Sequence, residues 1–169
     1  MVRDIFRSPD MQRLLGNLAI GHVRYPTVGV GAEEDAQPFY MNFPFGVAMA
    51  HNGNLTNWVD LKANKFPEDN ICLESSCDVE AILYAFAQGM LRTIGSDPIA
   101  DRIKAAVAAA FDRAKGAYSV CGILSEGVLF AFRDPSGIKP CIVGRRESEE
   151  GVEWAVASES VAFDVIGFD

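Results

Sequence analysis

Apolar and polar positions change period repeatedly along the chain, and each change marks an element. Phe45 to Ala50 is an unbroken apolar run entered from Pro44 and Gly46, which predicts a short buried strand. It stops at His51-Asn52-Gly53-Asn54, whose Asn-Gly pair predicts a tight turn. Thr56 or Asn57 can then cap a helix over about 56–64, carrying Trp58, Val59 and Leu61. Upstream, residues 1–16 are partly helical, with Ile5, Met11, Leu14 and Leu15 on one face. Leu18 to Tyr25 predicts a strand that ends before Pro26, and Thr27 to Asn42 a long polar loop.

Past Pro67 the period becomes helical. Val79, Ile82, Leu83, Phe86 and Met90 form one stripe, with Ser76 or Asp78 available as its cap. A second helix opens at Pro98, with Ile99, Ile103, Val107, Ala110 and Phe111 on one face, and Lys115-Gly116 ends it. Alternation then returns. Ala117–Leu124 and Val128–Arg133 predict a hairpin, Asp134-Pro135-Ser136-Gly137 a turn, and Cys141–Gly144 a strand. Residues 147–153 are acidic and predict a solvated loop, and Trp154–Ala157 a last strand. Two strands, two or three helices and four strands, without regular β-α alternation, define an α+β class: antiparallel sheets covered by helices.

At 169 residues and 49% hydrophobic content, the chain suits one domain with a real core. A net charge of −8, with no basic run longer than Arg145-Arg146, argues against nucleic acid or an anionic membrane as partner. No apolar run approaches the roughly 20 residues of a membrane span, and no signal peptide opens the sequence, so a cytoplasmic protein is expected. Cys72, Cys77, Cys121 and Cys141 have no metal-like spacing, and His22 and His51 are the only histidines. No metal site is therefore expected; a Cys72–Cys77 disulfide stays open. The apolar end, Ile166-Gly167-Phe168-Asp169, has no tapering tail and suggests a piece of something longer.

Four features carry candidate chemistry. Arg24, at a strand end beside Tyr25, is either a surface charge or a bidentate clamp on a ligand carboxylate. Asp78 is either a helix cap or a carboxylate offered to a ligand ammonium. Asn52-Gly53 is either a connecting turn or a source of fixed N–H donors for an oxyanion. His51 fits a hydrogen-bonded structural histidine better than a base, since no Ser-His-Asp spacing is evident. Arg133-Asp134-Pro135 is a charged turn. Together, a carboxylate-binding Arg, an ammonium-binding Asp and an oxyanion corner describe a site for an amino acid whose side-chain carbonyl is polarised or attacked.

The segments GHVRYPTVG (21–29), QPF (37–39), AHNGNLTN (50–57), CDVE (77–80), GAYS (116–119), RDPSGIKP (133–140) and ASES (157–160) resemble the amidophosphoribosyltransferase family. The likeness is to its N-terminal glutaminase domain, a class II glutamine amidotransferase of the N-terminal-nucleophile (Ntn) hydrolase superfamily. It runs in order from about residue 4 to 169. Arg-Tyr-Pro-Thr separates it from sugar-transaminating relatives, which have Arg-Trp-Ala-Thr, and Asn-Gly-Asn from glutamate synthases, which have Asn-Gly-Glu.

The resemblance implies an Ntn-hydrolase-like four-layer αββα sandwich over 1–169. It implies that Arg24 binds the glutamine α-carboxylate in a pocket shaped by Tyr25 and Thr27. Asn52, through its amide, and Gly53, through its backbone N–H, form the oxyanion hole, and Asp78 holds the α-ammonium. Glutamine is then the substrate and a phosphoribosyltransferase domain the partner, in a homo-oligomer when full length. This domain needs no cofactor; Mg is used with phosphoribosyl pyrophosphate in the other.

One family feature is missing. The nucleophile is a cysteine at the mature N-terminus whose α-amine serves as base, whereas this sequence opens Met1-Val2-Arg3. The expectation is a partial glutaminase domain without nucleophile, first strand or phosphoribosyltransferase domain, inactive alone and with an unpaired sheet edge. A non-catalytic glutamine-binding or interaction module, and the glutaminase domain of another class II amidotransferase, are the alternatives.

Overall fold

The structure, a computed structural model, describes residues 6–23, 35–95 and 98–169. Its elements in chain order are α1 (Ser8–Met11), β1 (Phe39–Met41), β2 (Val47–Leu55), α2 (Trp58–Asp60), a π-helical turn (Leu61–Lys65) and α3 (Phe66–Glu68). They continue with α4 (Val79–Arg92), α5 (Ile99–Arg113), β3 (Gly116–Leu124), β4 (Val128–Arg133), β5 (Ile142–Ser148), β6 (Gly151–Ala157) and α6 (Val161–Ile166).

An antiparallel sheet of order β1-β2-β3-β4 and an antiparallel β5-β6 pair make the two central layers. The stripe from Val79 to Met90 is fully buried where α4 lies against β1 and β2. Phe86 stacks on Phe130 of β4, ring centroids 4.8 Å apart and nearly parallel. α5 meets α4 where Gly89 faces Ala106; a Cβ on Gly89 would lie 2.5 Å from Ala106 Cα, so only glycine allows that approach. On the far side, Phe163 of α6 and Phe168 sit over Gly144 of β5. Ser119 and Cys121 of β3 face Val156 and Ala157 of β6 across an intersheet cavity. The order helices, sheet, sheet, helix is the expected αββα sandwich.

Several local expectations are corrected. Asn52-Gly53 is not a turn: both residues lie inside β2, opposite Ser119 and Tyr118. A Cβ on Gly53 would fall 2.2 Å from Ala117 O, and one on Gly116 2.2 Å from Asn54 O. Two glycines let the strands close together there, and the sheet overrides the local turn preference. Leu18–Val23, the described part of the strand expected at 18–25, forms no strand among the described residues, and Leu18 and Val23 are exposed.

The loop expected over 27–42 contains β1. The helix expected over about 56–64 runs on through the π turn to Glu68, with Pro67 tolerated in the first turn of α3. β5 and β6 extend into the acidic stretch, where Arg146 pairs across the strands with Glu153. None of the four cysteines is in a disulfide, which removes the Cys72–Cys77 pairing. Among the described residues no helix is long and apolar enough to cross a membrane.

Candidate active site

The site grows from one edge of β2. β3 pairs with β2 along its whole length, whereas β1 pairs only with Val47–Met49. Beyond Met49 that edge carries no strand among the described residues, and side chains take its N–H groups. The His51 N–H donates to Gln37 Oε1 at 2.7 Å, and the Leu55 N–H to Asp78 Oδ2 at 2.6 Å. Backbone groups alternate sides along a strand, so the Gly53 N–H, midway between these two, points to the same edge. Asn52 and Gly53 line a cavity of about 800 Å³ at this edge, together with Asp78. That volume is ample for an amino acid.

Asp78 precedes α4 but does not cap it. Its backbone is already helical and its side chain makes no cap hydrogen bond. The turn before the helix is organised by buried Glu80, which accepts the Glu74 and Ser75 N–H groups at 3.0 and 2.9 Å and the Ser75 hydroxyl at 2.7 Å. Released from capping, Asp78 reaches Leu55 through Oδ2 and His51 Nε2 through Oδ1 at 3.0 Å. Each oxygen keeps a lone pair for a further donor. Burial pushes its carboxyl up, but the hydrogen bond and charge of His51 and the Leu55 N–H outweigh burial. The group ends below its ordinary value, held as a carboxylate.

His51 is buried, 5% exposed; its Nδ1 is within hydrogen-bond distance of the Gln37 amide, and its Nε2 lies 3.0 Å from Asp78 Oδ1 as an ion-pair contact. The His51 N–H fixes which end of the Gln37 amide is oxygen. Gln37 Nε2 then stands 3.2 Å from Nδ1 and donates to it. In the neutral ring this leaves the proton on Nε2, 3.0 Å from Asp78 Oδ1. The same Gln37 nitrogen is 3.4 Å from Cys77 Sγ.

Of the residues singled out in the sequence, Asn52, Gly53 and Asp78 thus share one cavity. Arg24, Tyr25 and Thr27 lie outside the described residues. Sequence reasoning gives Gln37 no role beyond its short segment and Cys77 none beyond its segment and the open pairing with Cys72, because their site roles depend on contacts 14 and 40 residues away. His51, Cys77 and Asp78 offer one ligand atom each within 4.8 Å of one another, the set among the described residues able to hold a metal. Buried Asp134 serves the Arg-Asp-Pro-Ser-Gly segment structurally. It accepts the Tyr118, Ser136 and Ile138 N–H groups at 3.3, 3.0 and 3.1 Å.

A four-layer αββα sandwich with amide donors and a carboxylate at one sheet edge defines an Ntn-hydrolase-like fold. The chain belongs to the glutamine amidotransferase domain family, whose model, described as "Glutamine amidotransferase domain", matches residues 22–165. Its sequence is 44% identical to the amidophosphoribosyltransferase of Pseudomonas aeruginosa over 168 residues, covering 99% of this chain and 34% of the relative. It is also 44% identical to that of Escherichia coli over 170 residues, again covering 34% of the relative.

A solved structure described as the allosteric regulatory enzyme of purine biosynthesis superposes with a TM-score of 0.78 at 30% identity, over 99% of this chain and 33% of that one. The Bacillus subtilis glutamine phosphoribosylpyrophosphate amidotransferase, complexed with ADP and GMP, matches 87% of this chain and 29% of its own at TM-score 0.65 and 29% identity. The chain spans about a third of the length of the curated relatives it matches.

Proposed function

We propose that the chain binds glutamine and polarises its side-chain amide, as the glutaminase part of an amidophosphoribosyltransferase. The observation that carries this reading is the convergence of Asn52, the Gly53 N–H edge and the Asp78 carboxylate on one cavity. Asp78 takes the α-ammonium through its remaining lone pairs; the family resemblance gives the α-carboxylate to Arg24, with Tyr25 and Thr27 beside it in sequence. A thiolate adds to the side-chain carbonyl carbon. The carbonyl electron pair moves to oxygen, where the Asn52 amide and the Gly53 N–H receive it. The oxyanion re-forms the carbonyl and breaks the C–N bond, the nitrogen leaves as ammonia with the proton that the cysteine's α-amine took from the thiol, and water cleaves the thioester to glutamate and the free thiol.

The thiolate comes from the N-terminal cysteine of the family, which none of the four cysteines of this sequence replaces. The ammonia passes to phosphoribosyl pyrophosphate on a phosphoribosyltransferase domain, where Mg accompanies that substrate. The whole works in the cytoplasm as a homo-oligomer.

Ammonia release from glutamine tests this reading, using the purified chain alone and with a synthetic peptide bearing the family's Cys-initiated strand. The chain alone should release none above background, and the peptide should restore release. In the restored reaction Asn52→Ala should lower kcat about 100- to 1000-fold, the usual cost of one oxyanion donor. Activity from the chain alone that disappears on replacing Cys72 or Cys77 would place the nucleophile on that residue instead.

A further inference from the structure

We propose that His51, Cys77 and Asp78 form a site for a thiophilic divalent cation of the zinc class, with the cavity supplying the open fourth position. Three different donor types lie within 4.8 Å of one another. Tetrahedral zinc with N, S and O ligands separates its donors by about 3.3–3.8 Å, so small side-chain rotations close the set. His51 and Cys77 are 5% and 4% exposed, and the Asp78 side chain 15%. The ligands are thus held in the wall, while the metal's fourth face opens to the cavity. An imidazole and a thiolate select zinc-class ions over magnesium or calcium. A thiolate, a carboxylate and a neutral imidazole balance a dication, so the loaded site is electrically neutral.

Gln37 is already placed as the outer support such a site needs. Its Nε2 lies 3.4 Å from Cys77 Sγ and 3.2 Å from His51 Nδ1, and its Oε1 lies 3.4 Å from the same Nδ1. The amide therefore serves either tautomer. Without metal it donates to Nδ1; when Nε2 gives up its proton to bind metal, Oε1 accepts the Nδ1–H. Sequence spacing hides the site, because its ligands come from β2 and from the turn before α4. A cation here occupies Asp78, so cation and amino acid exclude one another; this consequence, unlike the site itself, rests on the proposed glutamine reading.

Cobalt(II) titration of the metal-free chain tests the site. One equivalent should produce a near-ultraviolet thiolate-to-cobalt band with tetrahedral visible bands, displaced by zinc. Cys77→Ser should abolish the band while circular dichroism shows a retained fold. A chain carrying Cys72→Ser, Cys121→Ser and Cys141→Ser together should keep it. Gln37→Leu should weaken zinc binding about 10- to 100-fold, as loss of an outer-shell partner does. Absence of the band in the wild type, or its persistence in Cys77→Ser, overturns the proposal. Glutamine binding by calorimetry should vanish in the zinc-loaded chain. A normal thiolate band with unchanged glutamine affinity would keep the cation site and overturn the assignment of Asp78 to the ammonium.

Discussion

In the four-stranded sheet Val47, Met49, Val120 and Leu124 are 0–2% exposed, whereas in the β5–β6 pair Val143, Val152 and Trp154 are 51–61% exposed. Both regions carry apolar strand signals in sequence, and both form antiparallel ladders with continuous register. The difference is the covering layer. α4 and α5 pack on one face of the larger sheet, whereas α6 packs on the β5–β6 face that carries Gly144 and Arg146; Val143, Val152 and Trp154 lie on the opposite face, which no helix covers among the described residues. Such signals therefore predict that a strand will pair; burial, and with it most stabilisation, depends on what a second layer brings.

The contrast is broken most severely at Phe86. It is fully buried and stacked on Phe130, so Phe86→Ala should cost about 3–5 kcal/mol by urea unfolding. A loss under 1 kcal/mol would mean that α4 does not anchor the core. Gly53→Ala should cost about 1–3 kcal/mol, since the new methyl meets the backbone of Ala117 and Tyr118, which cannot swing aside. It should also abolish peptide-restored ammonia release, because the strand must shift where the N–H is aimed.

A subtler test uses pH. The Asp78 carboxyl titrates in the folded chain below its ordinary value of 3.8, so its contribution is complete above that value and is lost as pH falls through the lower, folded one. The stability gap between wild type and Asp78→Asn, from melting curves, should be present at about pH 5 and shrink as pH falls below about 4. A gap that widened on acidification would mean that His51 and Leu55 do not hold the carboxylate. The smallest effect is expected at Trp154, 61% exposed, where Ala should change stability by no more than about 0.5 kcal/mol. A larger loss would show that the face of β6 turned away from α6 is covered in solution.

The helices were legible because Val79, Ile82, Leu83, Phe86 and Met90 repeat at helical spacing and bury one face, a demand local enough to read without a partner. The hairpin of β3 and β4 was legible because Ser125-Glu126-Gly127 joins two alternating runs. Asn52-Gly53 was marked for its chemistry but misread in shape. The pairing of Gly53 with Tyr118 and of Gly116 with Leu55 lies more than 60 residues apart in sequence, and that ladder outweighs a dipeptide's turn preference. The β1 strand escaped notice because it has three residues and exists only against Val47–Met49.

What the sequence alone determined is the α+β class, the main helices and hairpin, and the identity of Asn52, Gly53 and Asp78 as residues able to serve an amino acid. Each rests on a residue's own chemistry or on a period within one element. Only the tertiary structure decided that the Asp78 side chain makes no helix-cap hydrogen bond while Glu80 orders the turn before α4, and that Gln37 and Asp78 take the N–H groups on either side of Gly53. It also decided that His51, Cys77 and Asp78 meet in the wall of one cavity. Those outcomes depend on which polar groups the packed sheet edge leaves without a strand to pair with, and a backbone donor facing that edge must find a side chain from wherever in the chain one arrives.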